Sequence, residues 1–446
     1  MHQMSLDMNI PTVSQTISIL EKHNQRFGIP LDLDRMCEYW SYYTLKSEDC
    51  LRRVMRYIDP SGRKYGKTTQ FKDNDFRSWL KANSITKGFK KTDGDEMSLA
   101  KESLDAVVAT GLYSEEINKV LELYGEGKAA AKAVSLLGNI IQSYPVAGIE
   151  TWDNHRMIVV RPTWTGQNTG RIGSSDPAVM NITRTLGDIF TVPKGWIYFE
   201  ADSGQIDPRI IQSWVLGDAQ LKRCTMLYDD AYFGYVHYCT YLTDEERRSR
   251  TLDLKPVELT DEQKAKRKKF KTFGNAVVYG SKENDAGDPD KDLFIRYIGR
   301  HPGVVKNKQN IENQIDRGER IFYTAFGTPV DITKGPSDKR YREKASEEAY
   351  FNHLVRTAIN CRIQGTAADL MRFSVRQADT LLRRKAPNSL ILQYVHDAGK
   401  FMIAESDYDN VIDELREITA YQIEDWLPIH CDPCEGVHDS ELKRFI

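Results

Sequence analysis

The sequence contains no run of about 18 apolar residues, and its start, Met1-His2-Gln3-Met4-Ser5-Leu6-Asp7, has neither a basic segment nor an apolar one. It therefore carries no sign of a membrane span or a secretion signal, and the protein is expected to stay where it is made. Cysteine is scarce and scattered: Cys37, Cys50, Cys224, Cys239, Cys361, Cys431 and Cys434 form an odd set that suits free thiols in a reducing compartment. Only Cys431 and Cys434 make a C-x-x-C, and with no second Cys or His pair at zinc-finger spacing they read as ordinary thiols. Neither sign of charge dominates. The 62 Lys and Arg against 64 Asp and Glu exclude a uniformly basic nucleic-acid-coating protein, but not a local basic cleft. No repeat and no low-complexity segment interrupts the 446 residues. With 40% hydrophobic and 28% charged residues, the composition is that of a globular protein with ample core, and the length suits about three lobes.

The first 150 residues read as mostly helical, with an exposed loop at Pro60-Ser61-Gly62-Arg63-Lys64-Tyr65-Gly66-Lys67. Between Glu115 and Ile141 apolar residues recur at three- and four-residue steps, broken at Gly125 and Gly127. That spacing predicts two amphipathic helices. After Tyr144-Pro145 the texture changes to short strands and turns, ending in the apolar strand Trp196 to Asp202. Helical spacing returns from Ile206 to Leu216, with Pro208 in the first turn, where its missing N–H is not needed. A basic helix over Asp261 to Gly280, an Asp/Gly-rich loop at 285–290, a long helix from Ser346 to Arg383, a strand pair from Leu390 to Ala404 and a helix from Asp409 to Trp426 complete an α+β pattern.

Three clusters could carry chemistry. Asp202 ends a strand at a strand-to-helix junction, a position that equally suits a helix cap. Asp397 lies at the tip of a hairpin joined through His396-Asp397-Ala398-Gly399, where Asp and Gly are also ordinary turn residues. Lys264, Lys266, Arg267, Lys268, Lys269 and Lys271 crowd one helix, and Arg267, Lys271, Asn275 and Tyr279 recur every four positions. They share a stripe offering two cations, an amide and a ring. A charge run is usually a solvated face, yet this stripe also suits a polyphosphate, a sugar and a base. Two carboxylates at adjacent strand ends can hold two Mg²⁺ ions, and a neighbouring cationic helix would neutralise a triphosphate. Nucleotidyl transfer is the chemistry that needs all three clusters.

At these residues the sequence resembles the family A DNA polymerases, the group of bacterial DNA polymerase I and its phage and organellar relatives. Thr169-Gly170-Arg171 through Asn181-Ile182 is similar to the family's T-G-R segment, and Asp202-Ser203-Gly204-Gln205-Ile206-Asp207-Pro208-Arg209 to motif A. The Arg267 to Gly280 helix resembles motif B, Asn360 through Gln364-Gly365-Thr366-Ala367-Ala368-Asp369 a further family segment, and Val395-His396-Asp397 motif C. The resemblance implies a right-hand fold with an antiparallel palm sheet, helical fingers and helical thumb. It implies an N-terminal extension and palm entry over 1–30, thumb over 31–150, palm over 151–230, fingers over 231–345 and palm again over 346–446. It also implies primer extension with dNTPs on template DNA by two-metal catalysis.

In that reading Asp202, Asp397 and the Ser203 carbonyl hold two Mg²⁺ ions, with Mn²⁺ as a substitute. Lys271 is catalytic and, with Arg267, Asn275, Tyr279, Gln205 and Asp207, lines the nucleotide site. Arg171, Arg356, Asn360, Gln364 and His396 line the primer–template duplex. Departures touch nucleotide choice: Asp207 stands for the usual Glu, Asn275 for an aromatic residue, Tyr232 for a His, and Ala398 for the motif C Glu. The length is taken up by the polymerase core, so no proofreading exonuclease is expected, since Asp93-Gly94-Asp95-Glu96 reads as a solvated loop. A separate exonuclease, helicase or processivity factor is the expected company for a replicative role, and bacterial or phage-infected host cytoplasm the expected location. Competing readings are a single-subunit RNA polymerase type enzyme with relaxed sugar selection, and a silent subunit that only grips primer–template.

Overall fold

The computed structural model of the chain describes residues 9–61, 72–89, 96–142, 149–152, 155–248, 259–278, 289–334, 338, 342–343, 346–395, 397–423, 425–432 and 437–438. It is an α+β protein, and its contacts divide it into two units. The predicted loop at 62–67, the Asp93 to Asp95 stretch, the Asp/Gly-rich loop from Asp285 to Gly287 and Cys434 lie outside the described residues.

One unit comprises Ile29–Pro162 and Asp176–Thr191. Its sheet sets β1 (Ile29–Asp32) and β2 (Ile149–Trp152) on either side of β3 (His155–Val160), all antiparallel. The side chain of Asp32 accepts a hydrogen bond from the Arg35 amide and so starts α2 (Leu33–Ile58) directly from β1. The unit also holds α3 (Asp73–Ala82), α4 (Lys101–Ala109) and α5 (Glu115–Gln142). The last corrects the sequence reading: one 28-residue helix runs where two were expected. Its glycines serve packing rather than a break. A Cβ on Gly127 would lie 3.1 Å from Cys50 Cβ, and one on Gly125 would touch Leu104, so bare backbone lets α2 and α4 approach α5 closely. That burial offsets the roughly 1 kcal/mol each glycine costs a helix. Phe76 stacks on Tyr124 at 3.7 Å, and Tyr124 donates to Asp73, which Lys128 also holds.

The other unit comprises Met1–Gly28, Thr163–Ser175 and Val192–Glu441. At its centre β6 (Trp196–Ser203) and β9 (Leu390–Val395) flank β10 (Ala398–Ala404), with β11 (Cys431–Asp432) and β12 (Val437–His438) both pairing with β6. The 39-residue helix α13 (Glu347–Lys385) packs on this sheet with α14 (Tyr408–Thr419). α14 ends seven residues before the predicted Trp426. Tyr421 and Ile429 instead pair backbone to backbone, and Tyr421, Ile423, Trp426 and Ile429 fill the core from a loop. Loop residues buried at similar steps mimic a helical period.

The first helix, α1 (Val13–Arg26), is tied to this sheet by His23. Its Nδ1 accepts from the Ile391 amide at 3.3 Å, which leaves Nε2 to donate to Asp379 at 3.0 Å. Burial opposes the Asp379 carboxylate, but His23 and Arg383 outweigh it and hold its pKa below the usual value. Its stabilising contribution is therefore present above the ordinary carboxylate range and is lost as pH falls through the lowered value. His23→Ala should cost about 1–3 kcal/mol in urea unfolding at neutral pH, because it strands the Ile391 amide and leaves Asp379 to Arg383 alone. No measurable loss would show that the contact contributes nothing.

Candidate active site

Two strand ends bring the candidate acids together. Antiparallel register sets Ala398 opposite Asp202, and the Ser203 amide donates to the Asp397 carbonyl at 3.0 Å. Asp202, next to the last residue of β6, and Asp397, in the turn that leads into β10, are 195 positions apart in sequence and thus stand side by side at the same end of two neighbouring strands. Ser203 is buried, with its hydroxyl donated to the Thr419 carbonyl at 2.7 Å, which leaves its main chain as the part able to face an ion. Register also sets Asp432 of β11 beside Asp202. Two carboxylates and a carbonyl are hard oxygen donors of the kind Mg²⁺ and Mn²⁺ take. Among the described residues, no cluster of three or more His, Cys, Asp or Glu forms a metal cage.

After Ser203 the chain reverses sharply. Gln205 adopts φ +55°, and α6 (Ile206–Ile210) begins at once, with Pro208 in its first turn as predicted. The Gln205 side chain does not project freely: Oε1 accepts from the Ala231 amide at 2.7 Å and the Tyr232 amide at 3.4 Å, the first residues of α8 (Ala231–Val236). Gln205 therefore couples the acid-bearing strand to α8. Asp207 meets Arg171 at 3.4 Å. Arg209 is buried, donating to the Pro428 carbonyl and to Asp229.

The basic helix α10 (Asp261–Val278) packs on α8. Arg267 Nε lies 2.5 Å from Asp230 Oδ2, and Arg267 Cζ and Lys271 Nζ lie 5.6 and 5.7 Å from the centre of the Tyr232 ring. Burial, followed by the charge of Asp207, pushes the Tyr232 hydroxyl up to about 12; Arg267 opposes the shift, while Asp397 and Asp230 add to it. The phenol thus stands, protonated at neutral pH, between the cation pair and the carboxylates. Tyr279 and His396 lie outside the described residues, as does the side chain of Asn275.

Arg171 follows the turn of the hairpin formed by β4 (Thr163–Gly166) and β5 (Ile172–Ser175). Gly170 has φ +81° in that turn, and a Cβ there would touch Ala368 and Arg372 of α13. Arg356, Asn360 and Gln364 recur at four-residue steps along α13; Arg356 is exposed, and Asn360 and Gln364 are half-buried. The neighbouring motif residues are structural. Gly365 lets Thr324 approach, Thr366 accepts from the Ala325 amide, and Asp369 takes Thr324 and Arg372, clamping the hairpin of β7 (Ile321–Tyr323) and β8 (Pro329–Asp331). Sequence reasoning missed Asp230, Glu200 and Lys400. The last two carried a signal, a charge inside an otherwise apolar strand, whereas no local pattern marked Asp230.

Residues 73–436 match the profile of DNA polymerase family A. DNA polymerase I of Pseudomonas aeruginosa is 26% identical over 263 residues, covering 56% of this chain and 26% of that protein. The thermostable DNA polymerase I of Thermus filiformis is 30% identical over 297 residues, covering 63% of this chain and 32% of that one. The chain thus spans between a quarter and a third of these relatives' length. Its fold is that of the POL domain of Pol1 from M. smegmatis, solved in complex with DNA primer-template and dNTP: the TM-score is 0.72 at 18% identity, over 96% of this chain and 70% of that one. The chain belongs to DNA polymerase family A. Among the described residues, no helix is long and apolar enough to cross a membrane.

Asp230 both caps α8, accepting from the Phe233 amide, and holds Arg267. Asp230→Asn keeps the cap and removes the charge. Binding of inorganic pyrophosphate, a bare polyphosphate probe, should then tighten by about three- to fivefold in calorimetry; weaker binding would mean that Asp230 orients Arg267 rather than competes for it.

Proposed function

We propose that the chain is a template-directed DNA polymerase that adds deoxynucleotides to a primer 3′ end. The observation that carries this reading is the β6–β10 register, which joins Asp202 and Asp397 at one sheet edge in a chain of this family. Asp202, Asp397 and the Ser203 carbonyl would hold two Mg²⁺ ions. Such ions, when bound, neutralise the reacting phosphate and favour the ionised primer 3′-oxygen.

The chain's own residues supply the rest. Arg267 and Lys271 hold the triphosphate, and Lys271 offsets charge that grows on the departing pyrophosphate. Gln205 acts at one remove, through its grip on the start of α8. Asp207 and Tyr232 stand where the sugar would lie, and together they replace the family's longer acid and its His. Tyr279 and Asn275, which share the four-residue spacing of Arg267 and Lys271 in the sequence, would serve the base and template. Arg171, Arg356, Asn360, Gln364 and His396 would grip the duplex. Arg171 reads minor-groove acceptors common to all correct pairs, which checks shape without selecting sequence. Primer–template DNA and dNTPs are thus the binding partners, and a separate exonuclease, helicase or processivity factor would join in replication.

Primed-template extension with Mg²⁺ tests the reading. Asp202→Asn and Asp397→Asn should each abolish extension while leaving primer–template binding within about twofold. Lys271→Ala should lower kcat/KM for dNTP by about a hundredfold. Supplying dNTPs and rNTPs in parallel reports the sugar preference set around Asp207; extension with neither nucleotide would end the proposal.

A further inference from the structure

One pair of charges lies on the sheet beside the acids, with Lys400 largely covered and Glu200 part-exposed, and has no part in the function proposed. Alternation along β10 puts Ala398, Lys400 and Met402 on one face, and cross-strand register sets them opposite Asp202, Glu200 and Tyr198 of β6. The other face is apolar, with Phe199 stacked on Phe401 at 6.0 Å. Lys400 is therefore not a surface lysine that happens to touch an acid. Its side chain is only 13% exposed, and its Nζ lies 3.6 Å from Glu200 Oε2. Tyr198 donates to the same carboxylate oxygen at 3.2 Å. A buried ammonium is tolerated when it is paired.

Glu200 sits two residues before Asp202 on the same side of β6, so the two acids stand about 7 Å apart along the strand. Burial lowers the Lys400 pKa, while the charges of Glu200 and then Asp202 hold it up, which puts the ammonium within electrostatic reach of both. Coulomb coupling at such separations in a partly buried site remains substantial.

Resting on the metal reading of Asp202 and Asp397, we infer that Lys400 is a positioning residue. Its ammonium holds and neutralises Glu200, so that divalent cations meet the charge of Asp202 and Asp397 without the charge of Glu200 added behind it. Ala398, at the motif C position where a Glu is usual, also contributes no carboxylate. Together the two positions keep β10 from adding net negative charge beside Asp202, a balance that the Glu200–Lys400 pair maintains.

The inference predicts shifts of opposite sign. Glu200→Gln leaves an extra positive charge beside Asp202 and should weaken Mn²⁺ binding, followed by electron paramagnetic resonance on the full chain, on the order of fivefold. Lys400→Met leaves an extra negative charge and should strengthen it by a similar factor. The double variant Glu200→Gln/Lys400→Met should return to within about twofold of the parent. The Mg²⁺ concentration giving half-maximal extension should move in the same directions. Shifts of the same sign in both single variants, or no shift, would overturn the inference. So would weaker primer–template binding by Lys400→Met with Mn²⁺ affinity intact, which would make Lys400 a DNA phosphate contact. Asp202→Asn, measured alongside, separates the two layers: if it leaves Mn²⁺ binding unchanged, the metal reading itself has failed.

Discussion

The antiparallel register of β6 and β10 is the constraint on which the site depends. Side chains alternate across a strand, so a slip of one residue would turn Asp202 from the face it shares with Ala398 to the face occupied by Phe199 and Phe401. Several features hold the register. The hairpin from β9 into β10 begins the pairing at Ala398, β11 and β12 add a second partner for β6, and the buried rings on the apolar face cannot exchange places with the charged row. The bulge between Lys400 and Phe401 absorbs an irregularity against β9 while the pairing with β6 runs unbroken from Ala398 to Ala404.

From that sheet edge, charge is organised outward by helices. Gln205 carries the geometry of β6 to α8 through two main-chain amides, and α8 in turn offers α10 an aspartate and a phenol ring to rest on. The acids and the basic stripe are thus connected by hydrogen bonds and packing rather than placed independently. The arrangement is asymmetric: the acids sit at the end of a sheet whose other face is buried, whereas Lys271 is exposed beside the Tyr232 ring.

Much of this was legible in the sequence, for identifiable reasons. The strand into Asp202, the hairpin carrying Asp397 and the stripe on α10 each have a local period, and period is what a sequence displays. The α+β class and the family followed from those same residues. Other features were not legible because they depend on distant partners. Gly125 and Gly127 looked like breaks until Cys50 and Leu104 supplied the packing that makes them useful. The loop holding Tyr421, Ile423 and Trp426 looked helical because burial, not hydrogen bonding, spaces its apolar residues. The role of Gln205 was hidden for the same reason, since its partners are amides 26 and 27 residues away. Glu200 and Lys400 lay in plain view as charges within apolar strands, but their pairing exists only in the register.

The central claim is that Asp202 and Asp397 act as one metal-binding unit. Its most direct test is a crystal structure of the chain with primer–template DNA, a non-hydrolysable incoming nucleotide and Mn²⁺, read by anomalous scattering. The account predicts two anomalous peaks bridged by the carboxylates of residues 202 and 397, next to the nucleotide's phosphates. Peaks coordinated elsewhere, or by only one of these acids, would contradict it.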